Sequence, residues 1–179
     1  MTEQQQAQLS RCQAALQPCI EGRHEMLACL MDDLGFPNPE SVREDVGKFL
    51  PAFAAWLDGQ TIDTNDLGFF TLRLSVFIGE FFVQRLAGCW LLDENPQSPN
   101  FATYVVGRFT KIADPNAVVT PLRIARDYLK DLARHGPIPT PMVGTTVYVT
   151  SDGQVMRSLP SIVAEVEAAL LRASGSSRT

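Results

Sequence analysis

Hydrophobic residues recur every three or four positions along the N-terminal third of the chain, the spacing of one face of an α-helix. The first such stretch runs from Gln5 to Leu34. Because Pro18 and Gly22 interrupt it, the pattern predicts either two helices or one bent helix. Gly35, followed by a proline-rich turn, should end it.

A second helical pattern follows that turn. Asn38 before Pro39 combines a capping residue with a proline suited to the first helical position, so a helix is predicted from there to Leu57. Pro51 should bend this helix, and Gly59 should end it.

The third pattern is the most apolar of the chain. A cap at Thr64 or Asp66 should start a helix that runs to Ala87, with Gly88 as its stop. The stretch Leu67–Leu86 is long enough to span a bilayer, but charged residues inside it would be costly in lipid. We therefore interpret it as a buried core helix. Six of its residues are expected to be largely buried: Phe70, Leu74, Phe77, Ile78, Phe81 and Val83.

After this helix the hydrophobic period changes from that of a helix to that of a strand. Residues 89–93 and 103–109 are short runs rich in aromatic and β-branched residues, separated by a turn-forming segment, and predict two antiparallel strands. Residues 145–150 and 154–157 predict a hairpin around Ser151-Asp152-Gly153. We expect one small, mainly antiparallel sheet built from these strands.

Two further helices complete the predicted elements. Thr120-Pro121 starts one that runs to Arg134, and the other spans residues 160–173. The alternating prolines 137, 139 and 141 indicate an extended connector. The prediction is thus an α+β fold, mostly helical, with a small sheet in the second half; residues 1–173 form a single globular domain and residues 174–179 a disordered tail.

Composition narrows the class of protein. With 179 residues, of which 45% are apolar, the chain can bury one core. A net charge of −5 and a pI near 5.0 disfavour general nucleic-acid binding. The first residues have no export signal, so we expect a cytoplasmic protein that does not bind a membrane. The four cysteines lack CxxC spacing and are interpreted as reduced packing thiols.

Catalytic and cofactor motifs do not occur. His24-Glu25 resembles the start of the zinc motif HExxH, but Ala28 stands where the second histidine should be. The other histidine, His135, is expected to interact with the C-terminus of a helix. Neither a GxSxG elbow nor a glycine-rich phosphate loop is found. We expect no cofactor and no metal site.

One polar set lies within the core helix. Arg73, Phe77, Glu80 and Gln84 fall on one narrow stripe of a helix that is otherwise almost entirely apolar. The stripe is either the solvent edge of the helix or a buried polar seam. In the structural interpretation it is a thin exposed edge or forms a salt bridge to a helix on its flank. In the functional interpretation Glu80 is the acid of a pocket, since burial can poise a carboxyl for proton transfer.

Glu80 is the centre of the candidate site. We expect it to be at least half buried, because a helix that is apolar on most of its surface leaves little room for a solvated carboxylate. It should either pair with an arginine, Arg73 or Arg108, or line a pocket beside Trp90, which should fill the junction of helix and sheet. The candidate ligand-binding residues are Arg73, Glu80, Gln84 and Trp90; no catalytic residue is assigned.

A basic stripe on the predicted helix 121–134 is a weaker candidate. Arg126, Lys130 and Arg134 could meet an acidic partner. Asp127 and Asp131 interleave with them at helical spacing, so the stripe is interpreted as a solvated face with weak ion pairs.

The segment from Gly79-Glu80 to Gly88-Cys89-Trp90 resembles a class of uncharacterised bacterial domains. These have a helix with Gly-Glu, a small-residue stop, a strand that begins with tryptophan, a further strand and an Asp-Pro loop, here Asp114-Pro115. The class brings no established activity. The resemblance implies that Gly79, Glu80, Gly88 and Trp90 belong to one structural unit.

Two functions from different classes remain open. The leading hypothesis is a non-catalytic protein-interaction module, of adaptor or immunity type, that binds one specific protein partner. The alternative is a small-molecule-binding protein or enzyme with a pocket around Glu80, Arg73 and Trp90. An apolar helix edge left uncovered in the monomer would indicate a homodimer.

Overall fold

The computed structural model describes residues 1–63, 65–135, 147–149 and 155–175. Within these residues the protein is an α+β fold, mostly helical, as predicted. Its elements in chain order are α1 (Glu3–Asp33), α2 (Leu50–Asp58), α3 (Leu67–Leu86), β1 (Cys89–Leu92), β2 (Tyr104–Gly107), β3 (Val118–Val119), α4 (Pro121–His135), β4 (Val147–Val149), β5 (Val155–Arg157) and α5 (Leu159–Gly175).

Helix α1 is one continuous helix of 31 residues, so the first of the two predicted alternatives, a pair of helices, is wrong. It starts with a capping box in which Thr2 and Gln5 satisfy each other's backbone N–H groups. Pro18 lies inside the helix without ending it. The chain leaves α1 through Gly35, whose φ of 75° is readily adopted by glycine.

The segment after α1 differs from the single helix predicted there. Pro39–Arg43 and Val46–Lys48 are short 3₁₀ helices, and α2 begins only at Leu50. Pro51 therefore lies in the first turn of α2, where its missing N–H costs no helical hydrogen bond, and it does not bend a longer helix.

Helix α3 ends one residue earlier than predicted. Ala87 is the C-terminal cap and takes the left-handed conformation, with a φ of 51°. Gly88 serves a different purpose, since a Cβ at this position would lie 2.5 Å from Cδ1 of Phe109. The glycine is needed for close packing rather than for its backbone angles.

The middle of α3 is the centre of the core. Leu74, Phe77, Ile78 and Phe82 are fully buried. The other predicted core residues of α3, namely Phe70, Phe81 and Val83, are partly buried. By length and composition alone α3 could also cross a membrane: its most apolar window has a mean hydropathy of 1.4 and is 44% buried.

The strands form two sheets rather than the single sheet expected. β1, β2 and β3 make a three-stranded antiparallel sheet, in which Trp90 is opposite Val106 and Val106 is opposite Val119. The two-residue strand β3 has no counterpart among the predicted elements. β4 and β5 pair separately as an antiparallel hairpin. The hairpin turn, the proline connector and residues 176–179 lie outside the described residues.

Helix α4 packs its apolar side against α3 and the three-stranded sheet. Leu129 and Leu132 of this helix are buried in the core. Its outer side carries the predicted basic stripe, whose three members are exposed. On the same side Arg123 Nε lies 3.8 Å from a carboxylate oxygen of Asp127, which fits a solvated face with weak ion pairs.

Candidate functional site

Glu80 lies on α3 with only 1% of its surface exposed, so the expectation of at least half burial is met. Its Oε1 accepts hydrogen bonds from Nε of Arg23 at 2.7 Å and from Nε1 of Trp90 at 2.6 Å. Its Oε2 lies 3.0 Å from Nε2 of His24. Three side chains from two other elements therefore compensate the buried carboxylate, as a buried charge requires.

Arg23 and His24 are adjacent residues of α1. Neither was among the ligand-binding residues that the sequence predicted. A signal for Arg23 was present, because Leu16, Ile20, Arg23 and Leu27 share one helical face that is otherwise apolar. A charged residue on such a face needs a partner in the interior. Sequence spacing does not identify that partner, which lies 57 positions away in the chain.

Trp90 occupies the junction between α3 and β1, as predicted. Its ring lies directly over Gly79, where a Cβ would come within 1.9 Å of Cζ2. The absence of a side chain at Gly79 thus lets the indole reach the neighbouring Glu80. Gly79, Glu80 and Trp90 are in contact.

Neither predicted arginine pairs with Glu80. Arg73 lies on the same helix seven positions away, which is about two turns along the axis. Its Nη1 instead bonds Oδ2 of Asp33 at 3.0 Å, and its guanidinium lies 4.1 Å from the centre of the Phe69 ring. Arg108 is an exposed residue with a φ of 52° just after β2.

Gln84 of α3 forms hydrogen bonds to the segment before α2. Its Oε1 accepts a hydrogen bond from the backbone N–H of Val46 at 2.8 Å, and its Nε2 donates to the carbonyl of Arg43 at 3.1 Å. Arg73, Glu80 and Gln84 are therefore members of a polar seam, each bonded to a different part of the fold. The ion pairs of Glu80 with Arg23 and of Arg73 with Asp33 both join α3 to α1, so the structural interpretation of the stripe, a salt bridge to a neighbouring helix, is confirmed.

The bonding of Glu80 limits its chemistry. A general acid or base must bring a lone pair or a proton within hydrogen-bond reach of a substrate. Both carboxylate oxygens already bond to protein donors, and the group is almost fully shielded from solvent. The arrangement stabilises the junction of α1, α3 and β1 and holds Arg23 in place.

A cavity of about 310 Å³ lies beside this cluster, between α1, the first half of α3, β1, β2 and the start of α4. Its wall is mostly apolar, and Arg23 and Trp90 of the cluster contribute to it. The other lining residues are Cys12, Leu16, Cys19, Ile20, Met26, Leu72, Ser75, Val76, Ala102, Thr103, Tyr104 and Leu122. The volume lies near the lower end of the range of roughly 300–1,000 Å³ typical of ligand pockets.

Tyr104 of β2 lines the cavity. Its hydroxyl donates a hydrogen bond to the carbonyl of Cys12 at 2.9 Å. Burial raises the pKa of Tyr104 to about 12, and the neighbouring Cys19 and Cys12 act in the same direction. The phenol therefore stays protonated at neutral pH and keeps its donor role.

The cysteines are less buried than expected of packing residues. Cys12 is partly exposed, while Cys19, Cys29 and Cys89 are exposed, and none of the four forms a disulfide. Among the residues that the structure describes, no group of three or more histidine, cysteine, aspartate or glutamate side chains is placed to hold a metal ion.

Comparison of the chain with protein-family models, with curated proteins and with solved structures gave no significant match in any of the three.

Proposed function

We propose that the protein is a non-catalytic binding protein that holds a small apolar molecule in the cavity between α1, α3 and the three-stranded sheet. The observation that carries this proposal is the cavity itself, about 310 Å³ with a mostly apolar wall and few polar groups. Such a combination is typical of small-molecule sites, in which apolar contacts give affinity and a few polar groups fix orientation.

The state of Glu80 supports binding over catalysis. The carboxylate that the sequence indicated as an acid is bonded to Arg23, His24 and Trp90. It does not line the cavity itself; of its three partners, Arg23 and Trp90 do. The four unpaired cysteines fit a reducing compartment and hence the proposed cytoplasmic location.

A protein-interaction module is the second candidate, favoured by the outer side of α3. Phe69 and Leu72 are 53% and 54% exposed, and Leu72 also lines the cavity. Large apolar side chains that continue the wall of a cavity outward can contact an apolar side chain of a partner. In this case the cavity would receive the partner's side chain rather than a free ligand.

Binding is tested by titrating the protein with 1-octanol in a calorimeter, with Leu16→Trp as the variant that fills the cavity. The matched control is Leu171→Trp, since Leu171 is 46% exposed on α5 and is not one of the residues that line the cavity. We expect octanol to bind the wild type and the control, and binding to be lost in Leu16→Trp. Equal binding by both variants, or none by the wild type, would contradict the proposal.

The second candidate is tested by capture from an extract of the source cells with wild type, Leu72→Glu and Leu171→Glu. A partner that uses the cavity should be captured by the wild type and by Leu171→Glu, lost in Leu72→Glu, and released by octanol. Capture that is insensitive to both Leu72→Glu and octanol would rule out this surface.

A further inference from the structure

Arg23 is the one charged side chain among the cavity-lining residues that the structure describes. A guanidinium carries five N–H groups in a planar fork. The Nε–H donates to Glu80 at 2.7 Å, and Nη1 donates to the carbonyl of Ile20. Within the described residues Nη2 has no hydrogen-bond partner, although the side chain is only 22% exposed. Arg23 is therefore held rigidly at the cavity, and the N–H groups of its Nη2 remain available to a ligand.

The side-chain donors of Ser75, Trp90 and Tyr104 at the wall are already in use. The hydroxyl of Tyr104 donates to the carbonyl of Cys12, and that of Ser75 donates to the carbonyl of Leu72 at 2.7 Å. The donors that remain for a ligand are the hydroxyl of Thr103, the thiols of Cys12 and Cys19 and the guanidinium of Arg23, of which the guanidinium alone carries a charge. No aspartate or glutamate is among the described lining residues, so a cation would find no counter-charge there.

We propose that the cavity binds a monocarboxylic acid with an unbranched apolar chain, its carboxylate on the guanidinium of Arg23 and its chain against Leu16, Ile20 and Val76. The planar fork of arginine matches the two oxygens of a carboxylate better than it matches a single hydroxyl. If each methylene takes roughly the 30 Å³ of a water molecule in the liquid, the cavity holds a chain of about ten carbons. The inference rests on the proposed function and adds the class of ligand.

The test compares ligands of equal chain length on the unaltered protein by calorimetry: decanoate, 1-decanol and decyltrimethylammonium. We expect decanoate to bind at least about tenfold more tightly than 1-decanol, as a charge-assisted hydrogen bond would provide, and the ammonium compound to bind most weakly. From hexanoate to decanoate, affinity should rise about fourfold for each added methylene and then level off.

Arg23→Gln should remove the preference for the acid and leave the affinity for 1-decanol nearly unchanged. Arg11→Gln is the control, because Arg11 is an exposed residue of α1 outside the cavity wall. If Arg23→Gln does not fold, the relative affinities of the wild type for decanoate and 1-decanol decide whether the cavity prefers a carboxylate. Equal affinity for decanoate and 1-decanol would overturn the assignment of a carboxylate and leave the proposed function intact. Binding of neither compound would overturn both.

Discussion

At the scale of single residues, the burial of Glu80 determines what surrounds it. A carboxylate with 1% exposure in the middle of an apolar helix requires hydrogen-bond donors for both oxygens. Arg23, His24 and Trp90 provide them at 2.6–3.0 Å. The sequence predicted the burial and gave pairing with an arginine as one of two alternatives, but it named Arg73 and Arg108 rather than Arg23.

The contribution of this charge is measured by Glu80→Gln. The amide keeps the shape of the side chain but leaves the guanidinium of Arg23 without its counter-charge. Its NH2 group, itself a donor, must also take the place of an oxygen that accepted a hydrogen bond. We expect a loss of about 2–4 kcal/mol in the free energy of unfolding, measured by chemical denaturation.

The control is Glu165→Gln. Glu165 forms an ion pair with Arg157 at 2.5 Å, but both side chains are more than half exposed. Because exposed pairs contribute about 0–1 kcal/mol, this change should have little effect. Equal effects of the two substitutions would mean that the Glu80 cluster is no more important to stability than a surface pair.

Gly79 offers a second test of the same junction. In Gly79→Ala the new Cβ would lie 1.9 Å from the Trp90 ring, so the indole must move and its bond to Glu80 is broken. A loss of about 2–4 kcal/mol is expected from overpacking together with the lost hydrogen bond. Thermal and chemical unfolding measure it.

Gly68→Ala, in the same helix, is expected to change the stability of the protein in the opposite direction. No atom lies within 4 Å of a Cβ built at Gly68, so alanine should stabilise the helix by up to about 1 kcal/mol. If both substitutions stabilise the protein, the contact between Gly79 and Trp90 does not exist in solution.

At the scale of elements, α3 combines a buried side with an exposed edge near its start. Phe77 is fully buried, with its ring centre 4.7 Å from that of Phe53 on α2. Phe69 is 53% exposed. Of the residues that the sequence predicted to be buried, Leu74, Phe77 and Ile78 are buried, whereas the other three are only partly buried. A helix that is apolar almost all round does not by itself show which side faces the core.

Phe77→Ala and Phe69→Ala form a matched pair on this helix. The first should cost about 3–5 kcal/mol through lost transfer energy and a cavity. The second should cost less than about 1 kcal/mol, since the ring is 53% exposed and loses its contacts with Arg73 and the Phe70 ring. Denaturation midpoints of the two variants provide the comparison, and a loss below about 1 kcal/mol for Phe77→Ala would show that α3 is not central.

At the scale of the whole molecule, burial is unevenly distributed along α1. Leu27, Leu30 and Met31 belong to the main core, whereas Leu9 is the one buried residue before Pro18 among those described. The first part of α1 instead covers the cavity, held by bonds such as that from Tyr104 to the carbonyl of Cys12. Local stability follows the number of buried apolar contacts.

Hydrogen exchange should reveal this division. Amide protons of residues 5–17 should exchange faster than those of residues 74–83, because the former pack over a cavity and the latter lie in the core. Decanoate should slow exchange in residues 5–17 specifically, since a filled cavity adds the missing contacts. Equal protection of both segments without ligand would contradict the division; mass spectrometry of peptic fragments gives the measurement.

The sequence by itself determined the elements whose signals are local. Hydrophobic periodicity determined α3 and part of its buried side, the change of period after Ala87 determined the paired strands β1 and β2, and Thr120-Pro121 determined the start of α4. It also determined that Glu80 must be buried and compensated. Each of these follows from residues within a few turns or one hairpin of one another.

Tertiary structure alone decided which distant residues meet. The pairing of Arg23 and His24 with Glu80 joins positions more than 50 residues apart, and the cavity is enclosed by five separate elements. The 3₁₀ segments after α1 and the two-residue strand β3 likewise form by packing on α3 and β2, too briefly to leave a period in the sequence. Such features depend on how helices dock, and the energy of docking is distributed over many weak contacts that no short pattern records.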